Sequence, residues 1–324
     1  MPGKIVKASF TPPVWLRNPH VQTLWPRFFR TRPEVNGETR RWETPDGDFL
    51  DLVFTPAFDD QHIPIVLILH GLGGSIQSKY AAGLMLALQQ RGLRAVLMHF
   101  RGCSTELNRL PRCYHSGETS DPLWVLQRLH AQYPDVPIGL CGFSLGGNAT
   151  LKLLGETGTD YYWLKAAAAV SVPFQLDACA TRLNQGFSRV YEWYLVRELR
   201  QVQLAKSAQM DIGIAPAAIN SCRTFKQFDD VVTAGLHGFE NGDDYYQQSS
   251  SRQYLKRINK PTLILQAADD PFLLPTAIPT EHELADKVQL ELAEYGGHVG
   301  FVSNHKQQPY WLESRLSCFF SEKL

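Results

Sequence analysis

The 324-residue sequence lacks any apolar run that approaches the ~20 residues of a membrane-spanning helix. The beginning of the chain has no apolar segment of the kind found in a secretory signal, and Pro12 and Pro13 interrupt it. We therefore expect a cytoplasmic protein without stable membrane insertion. The six cysteines are scattered without metal-ligand or disulfide spacing, so reduced thiols are the expected state.

An excess of charge of either sign is also missing. Lys and Arg together number 32, as do Asp and Glu, so the formal net charge is zero. This balance argues against a nucleic-acid-binding surface or an acidic tail. The glycine patterns of phosphate loops and dinucleotide-binding folds, G-x-x-x-x-G-K-[ST] and G-x-G-x-x-G, are absent. The sequence therefore predicts no nucleic-acid partner and neither a metal nor an organic cofactor.

Short apolar runs alternate with segments of helical spacing through most of the chain. Runs of this kind, bounded by Pro or Gly, are typical of strands buried on both faces of a parallel sheet. The alternation predicts an α/β fold, with a mostly parallel central sheet and helices on both faces. An Asp-Gly pair at Asp46 and Gly47 predicts a hairpin ahead of this region. The runs are "IPIVLILHG", "LRAVLMHFRG", "VPIGLCGF", "LKAAAAVSVPF", "KPTLILQAADD" and "KVQLELAEYGGH".

The alternation lapses twice, and these lapses suggest how the chain is organised. Residues of about 1–45 are weakly periodic and are interpreted as an N-terminal arm laid over the core. Residues of about 177–257 are helical, aromatic and polar, without obvious strands, and are interpreted as a lid insertion. Such an insertion could cover the C-terminal edge of the sheet, where ligands bind in open α/β folds. We expect one domain over residues 1–324.

The pentapeptide G-F-S-L-G places Ser144 between Gly142 and Gly146. An apolar run precedes it and a helical pattern follows, which is the context of a nucleophile on a tight strand-to-helix turn. Glycines relieve crowding in such a turn, and the hydroxyl projects above the sheet. An ordinary glycine-rich turn is the alternative. The context favours Ser144 as a catalytic nucleophile.

A serine hydroxyl needs a base to accept its proton and an acid to orient that base. His298, in "EYGGHVGF", follows the last predicted strand and two glycines, and is the predicted base. The preceding strand ends in two aspartates, of which Asp270 is the predicted acid and Asp269 is the alternative. The chain order Ser144, Asp270, His298 is the order expected of α/β-hydrolases.

The oxyanion of an acyl-transfer reaction needs two positioned N–H donors. The residue after the nucleophile, Leu145, is expected to supply one backbone N–H. The loop "HGLGGS" after the first core strand is expected to supply the other from Leu72. His70, which begins this loop, is interpreted as a brace for it.

With these residues assigned, the chain resembles the YheT-like esterase group of the α/β-hydrolases, which includes eukaryotic ABHD-type lipases and fungal ethyl ester synthases. The resemblance covers nearly the whole chain and implies a serine carboxylesterase in which Ser144, Asp270 and His298 form the charge relay. It also implies short- or medium-chain acyl substrates. The matching motifs are "NPHVQTLWP", "HGLGGS", "HFRGCS", "GFSLGGN", "DDYYQQSSS", "AADDPFLLP" and "YGGHVGF".

The sequence as a whole leads to one main hypothesis and two alternatives. The main hypothesis is a serine carboxylic ester hydrolase that acts on small-molecule acyl esters through an acyl-enzyme. The first alternative is acyl transfer to an alcohol by the same three residues, and the second is a non-catalytic binding protein on a hydrolase scaffold. The sequence leaves the oligomeric state, the acyl chain length and the alcohol moiety open.

Overall fold

A nine-stranded β-sheet forms the centre of the computed structural model, which describes residues 3–56, 62–305 and 308–324. The strands are β1 (Lys4–Lys7), β2 (Glu38–Glu43), β3 (Phe49–Phe54), β4 (Ile65–Leu69), β5 (Arg94–Met98), β6 (Ile138–Phe143), β7 (Leu164–Val170), β8 (Thr262–Ala267) and β9 (Val288–Ala293). Their order across the sheet is β1-β9-β8-β7-β6-β4-β5-β3-β2. Among these strands, β3 alone runs in the opposite direction, and it pairs antiparallel with β5 and, across the predicted Asp-Gly turn, with β2.

Helices connect most of the parallel strands and form most of the segment between β7 and β8. Within the described ranges, no helix combines the length and the apolar character that crossing a membrane requires. The helices are α1 (Pro19–Phe29), α2 (Lys79–Gln90), α3 (Ser120–Gln132), α4 (Leu145–Thr157), α5 (Leu176–Leu183), α6 (Ser188–Ser207), α7 (Pro216–Ser221), α8 (Phe225–Phe228), α9 (Ala234–His237), α10 (Gly242–Ser249) and α11 (Trp311–Lys323).

The central strands are apolar on both faces because both faces of the sheet are covered. Successive side chains of a strand point to opposite faces. In β4, Leu67 belongs to the core cluster that contains Leu126 of α3, whereas Ile68 belongs to the cluster that contains Leu84 of α2 and Leu316 of α11. The predicted fold class, a mostly parallel sheet with helices on both faces, is confirmed.

The segment interpreted as an N-terminal arm extends the sheet at one edge and then forms a helix. Ile5 in β1 pairs in parallel with Leu290 in β9. The helix α1 begins after Asn18, whose side chain accepts hydrogen bonds from the backbone N–H groups of His20 and Val21. This cap satisfies two of the N–H groups that a helix start leaves without partners. The first two residues of the predicted arm lie outside the described residues.

The segment interpreted as a lid contains the helices from most of α5 to α10 and a 3-10 turn over Ser251–Arg257. It leaves the sheet at the C-terminal end of β7 and returns before β8. Its longest helix, α6, is attached to the loop after β8, because Ser188 Oγ donates a hydrogen bond to the carbonyl of Pro271. A small apolar cluster around Phe228 and Val232 packs α7, α8 and α9 against α6, and a second cluster packs α5 against α10.

The sequence also predicts a helix around residues 277–286, which is absent from the described residues. The segment around 277–286 forms two 3-10 turns instead, Pro275–Ala277 and Glu281–Glu283. Two prolines explain the difference, because the residue before a proline disfavours the helical conformation. Ile278, which precedes Pro279, is extended with ψ 126°.

A buried arginine joins β5 to the hairpin turn and to α3. Arg101 is 3% exposed and donates two hydrogen bonds of 2.7 Å to the carboxylate of Asp121. Its third nitrogen lies 2.8 Å from Asp46 and 3.0 Å from Asp48. A guanidinium suits this position because it is planar and offers several donors in fixed directions.

We predict that Arg101→Leu destabilises the fold by about 3–5 kcal/mol, because it leaves buried carboxylates without their cation. Urea denaturation of the wild type and the variant measures this change in the free energy of unfolding. Arg109→Leu is the matched control, since Arg109 lies close to the same turn but its ion pair with Glu43 is exposed. Equal effects of the two substitutions would contradict the importance of burial here.

Candidate active site

Ser144 occupies the turn between β6 and α4 in a strained backbone conformation. Its φ is 52° and its ψ is −117°, a region that residues with a side chain seldom adopt. Crowding explains the flanking glycines. A Cβ at Gly142 would lie 2.1 Å from the carbonyl oxygen of Gly146, and one at Gly146 would lie 2.5 Å from that of His70. The turn therefore requires glycine on both sides of the serine.

The side chains of Ser144, His298 and Asp270 form a continuous chain of hydrogen bonds. Nε2 of His298 lies 2.9 Å from the Oγ of Ser144. Nδ1 of His298 lies 2.9 Å and 3.1 Å from the two carboxylate oxygens of Asp270. An ionised carboxylate accepts hydrogen bonds but has none to donate. Nδ1 of the histidine therefore carries the proton, and Nε2 accepts from the serine hydroxyl.

The two adjacent aspartates after β8 have different partners. The carboxylate of Asp270 is buried and also accepts hydrogen bonds from Nε2 of Gln266 (3.2 Å) and the backbone N–H of Phe272 (2.9 Å). Asp269 accepts one from the backbone N–H of Gly297 at 3.0 Å. The structure thus brings Asp270 to the histidine, while Asp269 binds the glycine turn that precedes it.

Several residues that support the site were missed by the sequence reasoning. The ring of Phe272 stacks on His298 with centroids 3.9 Å apart and planes 2° apart. The fully buried Gln266 bridges the backbone N–H of Val172 and the carboxylate of Asp270. A polar residue near the end of an otherwise apolar strand was the available signal for Gln266.

The helix α1, near the other end of the chain, supports the loop that carries His298. We call this loop, residues 294–305, the histidine loop. Thr23 Oγ1 accepts a hydrogen bond of 2.9 Å from the backbone N–H of His298. The buried amide of Gln22 both donates to and accepts from the backbone of Val302, at 3.0 Å and 2.9 Å. Both residues belong to the motif "NPHVQTLWP", but the motif itself does not indicate which loop they contact.

The two N–H groups expected to bind an oxyanion are free of partners in the part of the chain that the structure describes. In the loop after β4, the N–H groups of Gly71 and Gly73 donate to the hydroxyls of Tyr80 and Tyr114, at 2.8 Å each. The N–H of Leu72 between them has no acceptor among the described residues, and neither has that of Leu145. This loop lies against the nucleophile, because a Cβ at Gly71 would lie 3.2 Å from the Cβ of Ser144.

His70 is buried below this loop and braces it. Its Nδ1 lies 2.7 Å from the carbonyl oxygen of Gly71, and its Nε2 accepts a hydrogen bond from the backbone N–H of Phe100. Burial lowers the pKa of His70 to about 3, so the ring is neutral at physiological pH. It cannot act as the base, because both ring nitrogens are already engaged.

A cavity of about 900 Å³ opens above Ser144 and His298. Its walls come from the loop after β4, the helix α1 and the helices between β7 and β8. Apolar side chains of α6 and α8 form part of the wall. They are Leu195, Leu199, Val202, Phe225 and Phe228. This volume is in the range of small-molecule sites. Within the described ranges, no group of three or more His, Cys, Asp or Glu side chains could hold a metal ion.

The chain belongs to the α/β-hydrolase fold family, which matches residues 64–304. It is 44% identical over 314 residues to "Putative esterase YheT" of Escherichia coli, with 95% of this chain and 92% of that protein covered. It is 30% identical over 306 residues to "Phospholipase ABHD3" of Bos taurus, with 92% of this chain and 74% of that protein covered. These matches confirm the family resemblance that the motifs predicted, and with it an enzyme rather than a binding protein.

Solved structures show the same fold at low sequence identity. The esterase Pf2001 of Pyrococcus furiosus superposes with a TM-score of 0.58 at 15% identity, with 99% of each chain covered. Identity this low supports the fold alone, and function has to be argued from the residues of the site.

We predict that Asp269 makes the stability of the protein pH-dependent. Burial, and then the neighbouring charge of Asp270, raise the pKa of Asp269 from 3.8 to about 6. The folded protein therefore binds the proton more tightly than the unfolded chain. The stabilising contribution is complete below pH 3.8 and is lost as the pH rises through about 6.

Urea denaturation of the wild type and of Asp269→Asn between pH 4 and 7.5 tests this prediction. The variant carries an amide that does not titrate in this range. The free energy of unfolding of the wild type, relative to the variant, should fall as the pH rises and level off above about 6. A difference that does not change with pH would show that the pKa of Asp269 is not raised.

Proposed function

We propose that this chain is a serine carboxylic ester hydrolase that acts on short- to medium-chain acyl esters through an acyl-enzyme. One observation carries the proposal: the hydrogen-bonded chain from Ser144 Oγ through the imidazole of His298 to the carboxylate of Asp270. Acyl transfer at a serine requires a nucleophile, a base and an orienting acid that are hydrogen-bonded in this order. The names of the E. coli and bovine relatives agree with ester hydrolysis.

In the first half of the proposed reaction, Nε2 of His298 accepts the hydroxyl proton as Oγ of Ser144 forms a bond to the ester carbonyl carbon. The negative charge that develops on the carbonyl oxygen is bound by the N–H groups of Leu72 and Leu145. Asp270 stabilises the imidazolium and keeps the ring in orientation. When the tetrahedral intermediate collapses, His298 returns the proton to the departing alkoxide, and the alcohol leaves an acyl group on Ser144.

In the second half, water is the nucleophile and the oxygen of Ser144 is the leaving group. His298 accepts a proton from the water as its oxygen attacks the acyl carbon, and then gives that proton to Oγ of Ser144 as the carboxylic acid leaves. An alcohol in place of water would form a new ester by the same steps. Product analysis with added ethanol therefore separates hydrolysis from acyl transfer.

We assign residues 177–257 the role of a lid within a single domain of residues 1–324. Leu195, Leu199 and Val202 from α6 give the cavity an apolar wall that suits an acyl chain. Burial of each methylene group of an acyl chain contributes about 0.8 kcal/mol to binding. The preferred acyl length therefore reports how long the apolar part of the cavity is.

We predict that Ser144→Ala lowers the hydrolysis of p-nitrophenyl esters by about 10⁴-fold or more, because no nucleophile remains. The wild type should show a maximum at one acyl length in a series from acetate to dodecanoate. A fluorophosphonate probe should add its mass to the peptide that contains Ser144. Ser221→Ala, on the exposed α7, is the matched control and should react like the wild type. Full esterase activity in Ser144→Ala would overturn the proposal.

We predict different outcomes for the two aspartates. Asp270→Asn should lower kcat by about 10³–10⁴-fold, because an amide stabilises the wrong tautomer of the histidine. Asp269→Asn should change kcat by less than about tenfold, because its amide oxygen can still accept from the N–H of Gly297. Steady-state kinetics on the preferred ester measures both. The reverse order of effects would make Asp269 the orienting acid.

A further inference from the structure

Large apolar side chains are exposed almost entirely on one part of the surface. Ten such side chains are exposed among the described residues, and nine of them lie in residues 14–29 or 187–202. We call these nine residues the aromatic patch. They are Val14, Trp15, Val21, Phe28, Phe29, Phe187, Val190, Trp193 and Val202. Scattered apolar residues are normal on a surface, but a contiguous apolar patch marks a binding surface.

The two segments of the aromatic patch lie side by side. The ring of His20 in α1 is 4.6 Å from the ring of Phe187, and its Nδ1 is 3.1 Å from the hydroxyl of Tyr191 in α6. Two turns further along α1, Arg27 donates a hydrogen bond of 2.8 Å to the hydroxyl of Tyr194. The exposed side chains of α1 and α6 therefore belong to one surface.

The polarity of α1 is the reverse of that of an ordinary surface helix. Its buried face carries Gln22 and Thr23, which bind the backbone of the histidine loop. Its exposed face carries Val21, Phe28 and Phe29, the last two 67% and 66% exposed. A helix at a water-facing surface normally turns its apolar stripe inward. The outward stripe indicates that this face meets an apolar environment.

The aromatic patch borders the entrance of the cavity that contains Ser144. Phe28 and Val202 are exposed members of the patch, and both also line the cavity. The patch and the cavity therefore share two apolar side chains.

The charge around the aromatic patch is strongly positive although the whole chain is neutral. Residues 14–32 contain four Arg and no Asp, Glu or Lys, and residues 187–202 contain three Arg and two Glu. One of those acids, Glu192, is buried. The exposed arginines are Arg17, Arg27, Arg32, Arg189 and Arg197, whereas Arg30 is buried in an ion pair with Glu313. Exposed tryptophans and phenylalanines combined with arginines are typical of surfaces that lie in the interface of an anionic lipid bilayer.

We propose that the aromatic patch binds reversibly to anionic lipid surfaces and presents the cavity entrance to them. The proposal rests on the proposed function to the extent that an acyl ester dissolved in the lipid would then enter directly. A second copy of the chain is a poorer occupant, because a two-fold contact would bring the arginine-rich surface against itself. Residues at the interface of a bilayer need no spanning helix.

Vesicle binding by the full chain tests the proposal independently of catalysis. The Ser144→Ala protein is mixed with phosphatidylcholine vesicles that contain or lack phosphatidylglycerol, and the bound fraction is measured by sedimentation. We expect binding to the anionic vesicles that weakens as the ionic strength rises. The combined change Trp15→Ala, Phe29→Ala and Trp193→Ala should weaken it by at least about tenfold. None of these three residues lines the cavity, so hydrolysis of a soluble ester in the wild-type background should stay unchanged.

Two controls keep the test decisive. Tyr162→Ala removes an aromatic ring that is 72% exposed but outside the patch, and it should bind like the parent. Arg189→Glu with Arg197→Glu, both exposed, should weaken binding more than about tenfold, whereas Lys256→Glu with Arg257→Glu, exposed in the turn that precedes β8, should not. Absence of binding to anionic vesicles, or equal binding by the patch variants, would overturn the proposal. A dimer that the patch variants convert to monomers, without vesicle binding, would assign the patch to a second copy instead.

Discussion

The strained turn at Ser144 is the constraint on which the rest of the site depends. A residue held at φ 52° costs on the order of 1–3 kcal/mol, and it persists only where its surroundings leave no alternative. Here the backbone N–H of Ser144 donates to the carbonyl of Val170 in β7 at 2.8 Å, and α4 packs directly on the sheet. The buried parallel strands thus hold the hydroxyl above their C-terminal edge, where the other two side chains meet it.

The histidine loop also contains strained backbone, but different contacts hold it in place. Val299 and Phe301 both have positive φ, at 56° and 42°, so this loop is also strained. In its described part, residues 294–305, the loop contains no helix and only an isolated β-bridge between Val302 and Tyr310. Its support comes from Thr23 and Gln22 in α1 and from Ser171, whose Oγ accepts from the N–H of Val299 at 3.0 Å. The position of the base therefore depends on contacts between opposite ends of the chain.

The meeting of Ser144, Asp270 and His298 could be predicted from the sequence because each follows a buried parallel strand. The C-terminal ends of such strands converge on one edge, so local patterns suffice to bring the residues together. The roles of Gln22 and Thr23 could not be predicted in this way. They contact residues about 275 positions away, and no periodicity reports a contact of that range. Asp269 and Asp270 differ only in the direction of their side chains, which sequence does not contain.

The helix α1 both supports the loop of His298 and carries part of the exposed apolar surface. Local sequence patterns predict neither of these roles. One face positions the loop of His298 through Thr23 and Gln22, and the other carries exposed Phe28 and Phe29. A helix moves as a rigid element, so a displacement of the exposed face also moves the buried face. An apolar surface that contacts α1 would therefore act on the same rigid element that holds the histidine, at a distance of one helix diameter, about 10 Å.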